Sequence, residues 1–163
     1  EVQNPEDDHN EYYELGLQRM NRTLKTFKID EEQLNVLKSK NFKGKILIIT
    51  EPWCGDASAT VPAVSKFFEG HNEVRIFYRD SDTSLIDQFL TNGTQSIPKI
   101  LILNEDFSLK NVWGPRPQYG TELLKKFKEN PETYPREEFY NDLQVYYAKN
   151  KGKDAIQEIL ELL

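Results

Sequence analysis

The residue best suited to chemistry is Cys54, the only cysteine among 163 residues. It follows the apolar run 46–49 and precedes a stretch of helical periodicity, which predicts a strand-to-helix junction. Free N–H groups and the positive end of a helix favour the thiolate, so the position predicts a usable nucleophile near neutral pH. An inert packing cysteine is the alternative, and the polar neighbours Gly55 and Asp56 disfavour it.

Two neighbours of Cys54 have competing interpretations. Asp56 suits the first turn of a helix, but its negative charge would also raise the pKa of the nearby thiol, and the sequence does not decide which effect prevails. Trp53 offers an apolar contact surface beside the sulfur, and a plain packing role is equally compatible with the pattern.

A second candidate segment follows the last predicted strand. Trp113–Pro117 contains two prolines, which indicates a shaped loop that fixes the guanidinium of Arg116. Arg116 could hold a substrate carboxylate, and an ion pair with Asp80, Asp82 or another acid is slightly favoured. No metal site is predicted, because the segment 79–82 has no suitable ligand set and Cys54, with His9 and His71 far apart in the sequence, cannot make a zinc site of the Cys/His spacing type.

Four strands and a series of helices must position these residues. The predicted strands are 45–50, 73–79, 98–103 and 109–113; the first is central and buried on both faces, the first two are parallel, and the last two form an antiparallel hairpin. Apolar stripes at helical spacing predict the helices. The first begins after position 12, and the second runs from the N-cap Asp30 up to Gly44. The others cover 57–68, 85–90 up to the stop signal Asn92-Gly93, 120–130, a segment after Pro135 at N1, and a segment after Gly152. The first stripe is Tyr13, Leu17, Met20, Leu24 and Phe27; it is predicted to pack on its own domain, with a partner helix as the alternative.

Three motifs together resemble the thioredoxin superfamily: Trp53-Cys54-Gly55-Asp56-Ala57, Pro62, and Ser96-Ile97-Pro98. The resemblance covers about 45–130 and implies an α/β thioredoxin-like fold with a mixed central sheet between helices. It also implies that Pro98 is cis, lies beside the cysteine, and with Ile97 holds an extended segment of substrate. The further motifs TNG, SIPK and WGPRP, taken with WCGD, look like a little-characterised bacterial branch.

Two departures from that family pattern bear on activity. Ala57 replaces the second cysteine, and Ile48 replaces the buried acid that assists resolution of a mixed disulfide. The first hypothesis is therefore monothiol exchange on a protein or small thiol or disulfide substrate, with glutathione or another protein's thiol as external reductant. The alternative is a binding module for a peptide or protein without turnover. Glutaredoxin-like, peroxidase and iron–sulfur interpretations are weaker, because their signature residues are not evident.

Composition narrows the other classes. A net charge of −6 disfavours nucleic acid as a partner, and the longest apolar run is too short to cross a bilayer. No cofactor is predicted. The chain begins at Glu1 without an evident leader, so a cytoplasmic location is expected, although trimming leaves the compartment open. A single domain, 1–163, is predicted, with N-terminal helices at 11–43 and a C-terminal helical extension at 135–163.

Overall fold

The computed structural model describes residues 10–163. Within that range the elements are α1 (Asn10–Thr26), α2 (Glu31–Lys40), β1 (Lys45–Thr50), α3 (Gly55–Phe68), β2 (Glu73–Tyr78), β3 (Lys99–Leu103), β4 (Leu109–Trp113), α4 (Gln118–Glu129), α5 (Arg136–Asn150) and α6 (Lys153–Glu161). Short 3₁₀ turns cover Arg79–Ser81 and Ile86–Gln88. Of these helices, none has the length and apolar character that a membrane span requires.

The strands form a four-stranded mixed sheet in the order β2-β1-β3-β4. β1 runs parallel to β2, with Lys45 opposite Glu73, and antiparallel to β3, with Ile48 opposite Ile100. β4 is antiparallel to β3. This order confirms the predicted central position of β1 and the α/β class, in which a parallel pair adjoins an antiparallel hairpin.

The main core surrounds β1 and β3. Ile48 and Ile49 are both fully buried, and because successive side chains of a strand point to opposite faces, both faces of β1 are covered. Phe67 and Phe68 of α3 pack edge to face within the same cluster. Burial of one such side chain contributes roughly 1.5–3 kcal/mol, so this cluster firmly anchors the end of β1 that leads to Cys54.

A second apolar cluster holds α5 beside α3. Its buried members are Ala59, Tyr134, Phe139, Leu143 and Tyr147. The Tyr134 hydroxyl donates to Asp142 at 2.7 Å. The segment 130–136, which leads into the predicted C-terminal helical extension, therefore packs against the protein through Tyr134.

α1 contacts α3, but not through the whole predicted stripe. Leu17 is 59% exposed and Leu24 is 42% exposed, so the prediction that these two leucines pack on the domain is wrong. The buried residue of α1 is instead Gly16, where a Cβ would lie 2.6 Å from the carbonyl oxygen of Pro52. The missing side chain lets α1 approach the loop before Cys54 closely, and this contact decides which face of the helix turns inward.

The predicted helix over 85–90 is wrong. Only the 3₁₀ turn Ile86–Gln88 forms there. Asn92 and Gly93 do not stop a helix either: their φ angles of 50° and 77° form a tight turn between Thr91 and Thr94, which bond each other's backbone. Asn-Gly pairs favour such turns because both residues adopt positive φ readily.

Helix ends differ in smaller ways from the predicted ones. Asp30 caps α2 as predicted, since its side chain accepts the N–H of Gln33 at 3.1 Å. The helix ends at Asn41, with φ 49°, rather than at Gly44. Gly44 serves a close approach, because a Cβ there would collide with a neighbouring backbone carbonyl. Pro135 is the N-cap of α5 rather than its N1 residue.

Candidate functional site

Cys54 lies between β1 and α3, where the sequence pattern put it. It is the N-cap residue of α3, in an extended conformation with φ −73° and ψ 121°, and its thiol forms no cap hydrogen bond. The backbone N–H groups of Asp56 and Ala57 nevertheless interact with the sulfur and lower its pKa. The local geometry therefore includes the helix-end effect that the sequence predicted.

A loop from a distant part of the chain reaches the same sulfur. The Ile97–Pro98 peptide bond is cis. The thiol of Cys54 donates to the carbonyl oxygen of Ile97 with an Sγ–O distance of 3.5 Å. The neighbourhood of Cys54 and Pro98 that the resemblance implied is thus present, and the hydrogen bond requires the protonated thiol.

Burial decides the ionisation of Cys54. Only 8% of the residue is exposed. Loss of water, followed by the charge of Asp56, raises the pKa of Cys54 from its ordinary 9.0 to about 11, against the smaller lowering by backbone N–H groups and Arg116. Desolvation of the thiolate thus outweighs the helix end, which works against the predicted nucleophile near neutral pH in the free protein.

Arg116 has an acidic partner within the chain. Its Nε and Nη2 atoms donate to the two carboxylate oxygens of Asp56 at 3.0 and 2.9 Å. The side chains of Arg116 and Asp56 are 18% and 12% exposed, so water screens this ion pair weakly. The pairing is with another acid, as the sequence allowed; Asp80 instead binds Arg79.

Tyr147 of α5 completes the network around Asp56. Its hydroxyl donates to Oδ1 of Asp56 at 2.5 Å. Burial raises the pKa of Asp56, while Arg116 and Tyr147 oppose that rise by stabilising the carboxylate. Burial and the Asp56 charge hold the pKa of Tyr147 well above its usual range. The three side chains therefore join α3, the loop after β4, and α5 across low-dielectric space.

A cavity of about 490 Å³ opens beside Cys54. One wall comes from the start of α3 and the loop before it, and the other walls come from α1 and α5. Its lining residues are Tyr12, Leu15, Gly16, Arg19, Trp53, Cys54, Gly55, Asp56, Arg116, Tyr140, Leu143 and Gln144. We call this the Cys54 cavity.

The predicted site residues separate into two groups. Trp53, Gly55, Asp56 and Arg116 line the Cys54 cavity with the cysteine. The guanidinium of Arg79 lies 5.2 Å from the centre of a Trp53 ring, so Trp53 is both packed and part of the wall.

The other three predicted residues lie outside the lining. Ile97 and Pro98 are buried next to the sulfur. Trp113 is buried, and its indole N–H donates to Glu158 of α6 at 2.7 Å, an interaction that secures β4 to α6. The structure therefore does not bring Trp113 to the cavity.

Several lining residues escaped sequence reasoning. Arg19 and Gln144 approach Gly55 from α1 and α5, and Tyr12 and Tyr140 add aromatic surface. Nothing in their local pattern distinguishes them from solvated helix residues, because their role depends on how α1 and α5 pack. Elsewhere in residues 10–163, no three His, Cys, Asp or Glu side chains gather into a group that could hold a metal ion.

A comparison with protein families identifies the family of the chain. A family profile described as Thioredoxin matches residues 3–128. The chain belongs to the thioredoxin family. The family region includes α1 and α2, which the resemblance had placed outside its span, and it ends before α5. The Cys54 cavity of this thioredoxin-family protein therefore combines walls from the family region with a wall from beyond it.

Two solved structures share the thioredoxin-like fold. One is described as an HIV epitope scaffold, with a TM-score of 0.65, 18% identity, and coverage of 92% of this chain and 83% of its own. The other is a protein of unknown function from Pseudomonas aeruginosa, with a TM-score of 0.61, 18% identity, and coverage of 92% and 82%. At this identity the likeness shows the fold alone. No curated protein matches the chain.

Proposed function

We propose that this thioredoxin-family protein is a binding module that admits part of a peptide or small molecule to the Cys54 cavity without thiol turnover. The observation that carries the proposal is the state of the sulfur. Its pKa is raised to about 11, it is almost fully buried, and it donates a hydrogen bond to Ile97. Because exchange needs an accessible thiolate, the free protein is poorly prepared for it.

The residues that would complete a redox cycle support the same conclusion. Ala57, at the position of the family's second cysteine, is fully buried, so no attacking group stands there. Ile48, at the position of the buried acid, is also fully buried among apolar side chains. A mixed disulfide on Cys54 would therefore lack both an internal thiol and an internal proton carrier.

The cavity itself has the dimensions of a binding site. Ligand pockets commonly enclose about 300–1,000 Å³ and combine apolar walls with a few polar groups. The Cys54 cavity falls in that range, and its aromatic walls come from Tyr12, Trp53 and Tyr140. In the proposal Trp53, Gly55, Asp56 and Arg116 contact or shape the ligand site, while Ile97 and Pro98 support the sulfur from behind.

Monothiol exchange is the second candidate, and the position of Cys54 on the cavity wall favours it. The Cys54 thiolate would attack one sulfur of a bound disulfide, form a mixed disulfide with it, and release the other sulfur as a thiolate. An external thiol, from glutathione or another protein, would then attack the substrate sulfur of that mixed disulfide and release Cys54. That attack leaves the substrate sulfur in a disulfide with the external thiol, and a second external thiol then displaces it. Two external thiols are thus oxidised to one disulfide while the substrate disulfide is reduced to two thiols.

Alkylation of Cys54 separates the two candidates. Iodoacetamide labelling followed by mass spectrometry, from about pH 6 to about 11, should give a rate that still rises above pH 10, because the labelling rate follows the thiolate fraction. Turnover of glutathione mixed disulfides, with glutathione or a thioredoxin as reductant, should equal that of a Cys54→Ser variant. A labelling midpoint below about 8.5, together with turnover that Cys54→Ser abolishes, would establish exchange and reject the non-catalytic module.

A further inference from the structure

The Cys54 cavity contains a guanidinium that no acid of the described residues neutralises. Arg116 is paired with Asp56, whereas Arg19 forms no ion pair with any residue in the described range 10–163. Among residues 10–163, no lysine, histidine or glutamate contributes to the lining. The described lining residues thus carry one net positive charge in a chain whose net charge is −6.

Arg19 meets a second donor at one point of the cavity. Measured from the position that a Cβ on Gly55 would occupy, Nη1 of Arg19 lies at 3.5 Å and Nε2 of Gln144 at 3.4 Å. Neither side-chain group forms a hydrogen bond with another residue of the described chain. Two N–H donors, from α1 and α5, therefore converge above a glycine that leaves the space between them open.

Because Arg19 is partly buried, an anion at this point would stabilise its guanidinium more than an anion at a fully exposed site would. Burial, followed by the charge of Arg22, lowers the pKa of Arg19, so the charged form of the guanidinium is disfavoured where it lies. The space also adjoins the first residue of α3, so the positive end of a 14-residue helix points the same way. An anion there would neutralise the charge of Arg19 and satisfy both donors.

We propose, on the basis of the binding function above, that the ligand of the Cys54 cavity carries a carboxylate, which Arg19 and Gln144 bind above Gly55. A carboxylate offers two oxygens in one plane, enough for both donors, and its single charge matches that of the Arg19 guanidinium. A phosphate monoester, with a charge of about −1.5 to −2, would be undercompensated. The aromatic walls then contact the rest of the ligand.

Matched acid and amide probes test this assignment. The probes are 3-phenylpropionate with its primary amide, for a free small acid, and N-acetyl-Gly-Phe with its C-terminal amide, for a peptide terminus. Binding is followed by ¹H–¹⁵N NMR at the Gly55 amide and the Gln144 side chain. At least one acid should bind about tenfold or more tightly than its amide, because a hydrogen bond to a charged group contributes this much. The better pair identifies the source of the carboxylate.

Two arginine variants of α1 provide the matched control. Arg19→Gln should abolish the tenfold preference for the acid. Arg22→Gln removes an equal charge about one turn further along α1, from a residue that does not line the Cys54 cavity, and should retain the preference. Thermal unfolding of both variants checks that each is folded. Equal losses in the two variants would reduce the effect to the general field of the protein and overturn the assignment.

The remaining outcomes distinguish the two proposals. Equal binding of acids and amides at Gly55 would overturn the carboxylate assignment and leave the binding function intact. Tighter binding of phenyl phosphate than of 3-phenylpropionate would also overturn it. If no probe perturbed Gly55 or Gln144, the carboxylate assignment and the proposed binding function would both fail.

Discussion

The two sides of the Cys54 cavity differ in whether their polar groups already have hydrogen-bond partners. On one side, the start of α3 and the Ile97–Pro98 loop surround a neutral sulfur whose hydrogen bond is already made. On the other side, α1 and α5 present Arg19 and Gln144, whose donors find no partner within the described chain. The side that holds the cysteine is internally satisfied, whereas the donors on the side formed by α1 and α5 are available to a ligand.

This difference shows where recognition can reside in a thioredoxin fold. The cysteine marks the position of the site, but it is almost fully buried, and burial keeps its thiol uncharged. The polar groups left for a ligand come from α1 and from α5, which lies outside the family match. Function at a familiar position can thus depend on residues that the family motif does not contain.

The largest effect is expected from breaking the contact that joins the two sides. Asp56→Ala leaves Arg116 poorly compensated and removes the acceptor of Tyr147, so the free energy of unfolding should fall by about 3 kcal/mol. Loss of the Asp56 charge should also speed alkylation of Cys54, because that charge raises the thiol pKa. Chemical denaturation and labelling measure the two effects.

An exposed ion pair provides the control for Asp56→Ala. Glu129→Ala breaks a solvated contact with Lys125 on α4 and should change stability by no more than about 0.5 kcal/mol. Similar losses in both variants would mean that the Asp56 network contributes no more than a surface pair. The connection between the two sides would then be weak.

A pH series tests only the side of the cavity that holds the cysteine. The pKa of Cys54 is raised from 9.0 to about 11 in the folded protein, so the protonated thiol contributes stability that is complete below about pH 9 and lost as pH rises through 11. Relative to Cys54→Ser, which cannot ionise in this range, the protein should lose about 2 kcal/mol between pH 8 and 11. Urea titrations of both proteins measure this difference. A constant difference would show that the thiol is not desolvated.

The smallest effect is expected where α1 meets the cysteine loop. Gly16→Ala places a Cβ against the Pro52 carbonyl and should cost about 1.5 kcal/mol through overpacking. It should also accelerate labelling of Cys54 by loosening the wall. Gly55→Ala is the matched glycine control, since its Cβ meets only ordinary contacts and should leave stability nearly unchanged. Equal behaviour of the two variants would show that α1 does not cover the cysteine.

Local patterns predicted most of the fold. Strand β1 was recognisable because four consecutive apolar residues need burial on both faces. The Asp30 cap was recognisable because it joins residues only three positions apart in the sequence. The helix over 85–90 failed because apolar spacing alone does not distinguish a helix from a single turn in a compact loop. The single domain and the cytoplasmic location stay predictions, since the observed geometry tests neither.

The sequence by itself determined the covalent limits of the site: one thiol, Ala57 instead of a second cysteine, and Ile48 instead of an acid. It also determined the strand-to-helix junction, because both patterns are local. Only the tertiary structure decided that Cys54 stays protonated, that Arg116 forms an ion pair with Asp56, and that Arg19 lies near Gly55. The physical reason is that desolvation and charge pairing depend on which distant atoms exclude water, and the packing of α1 and α5 supplies those atoms.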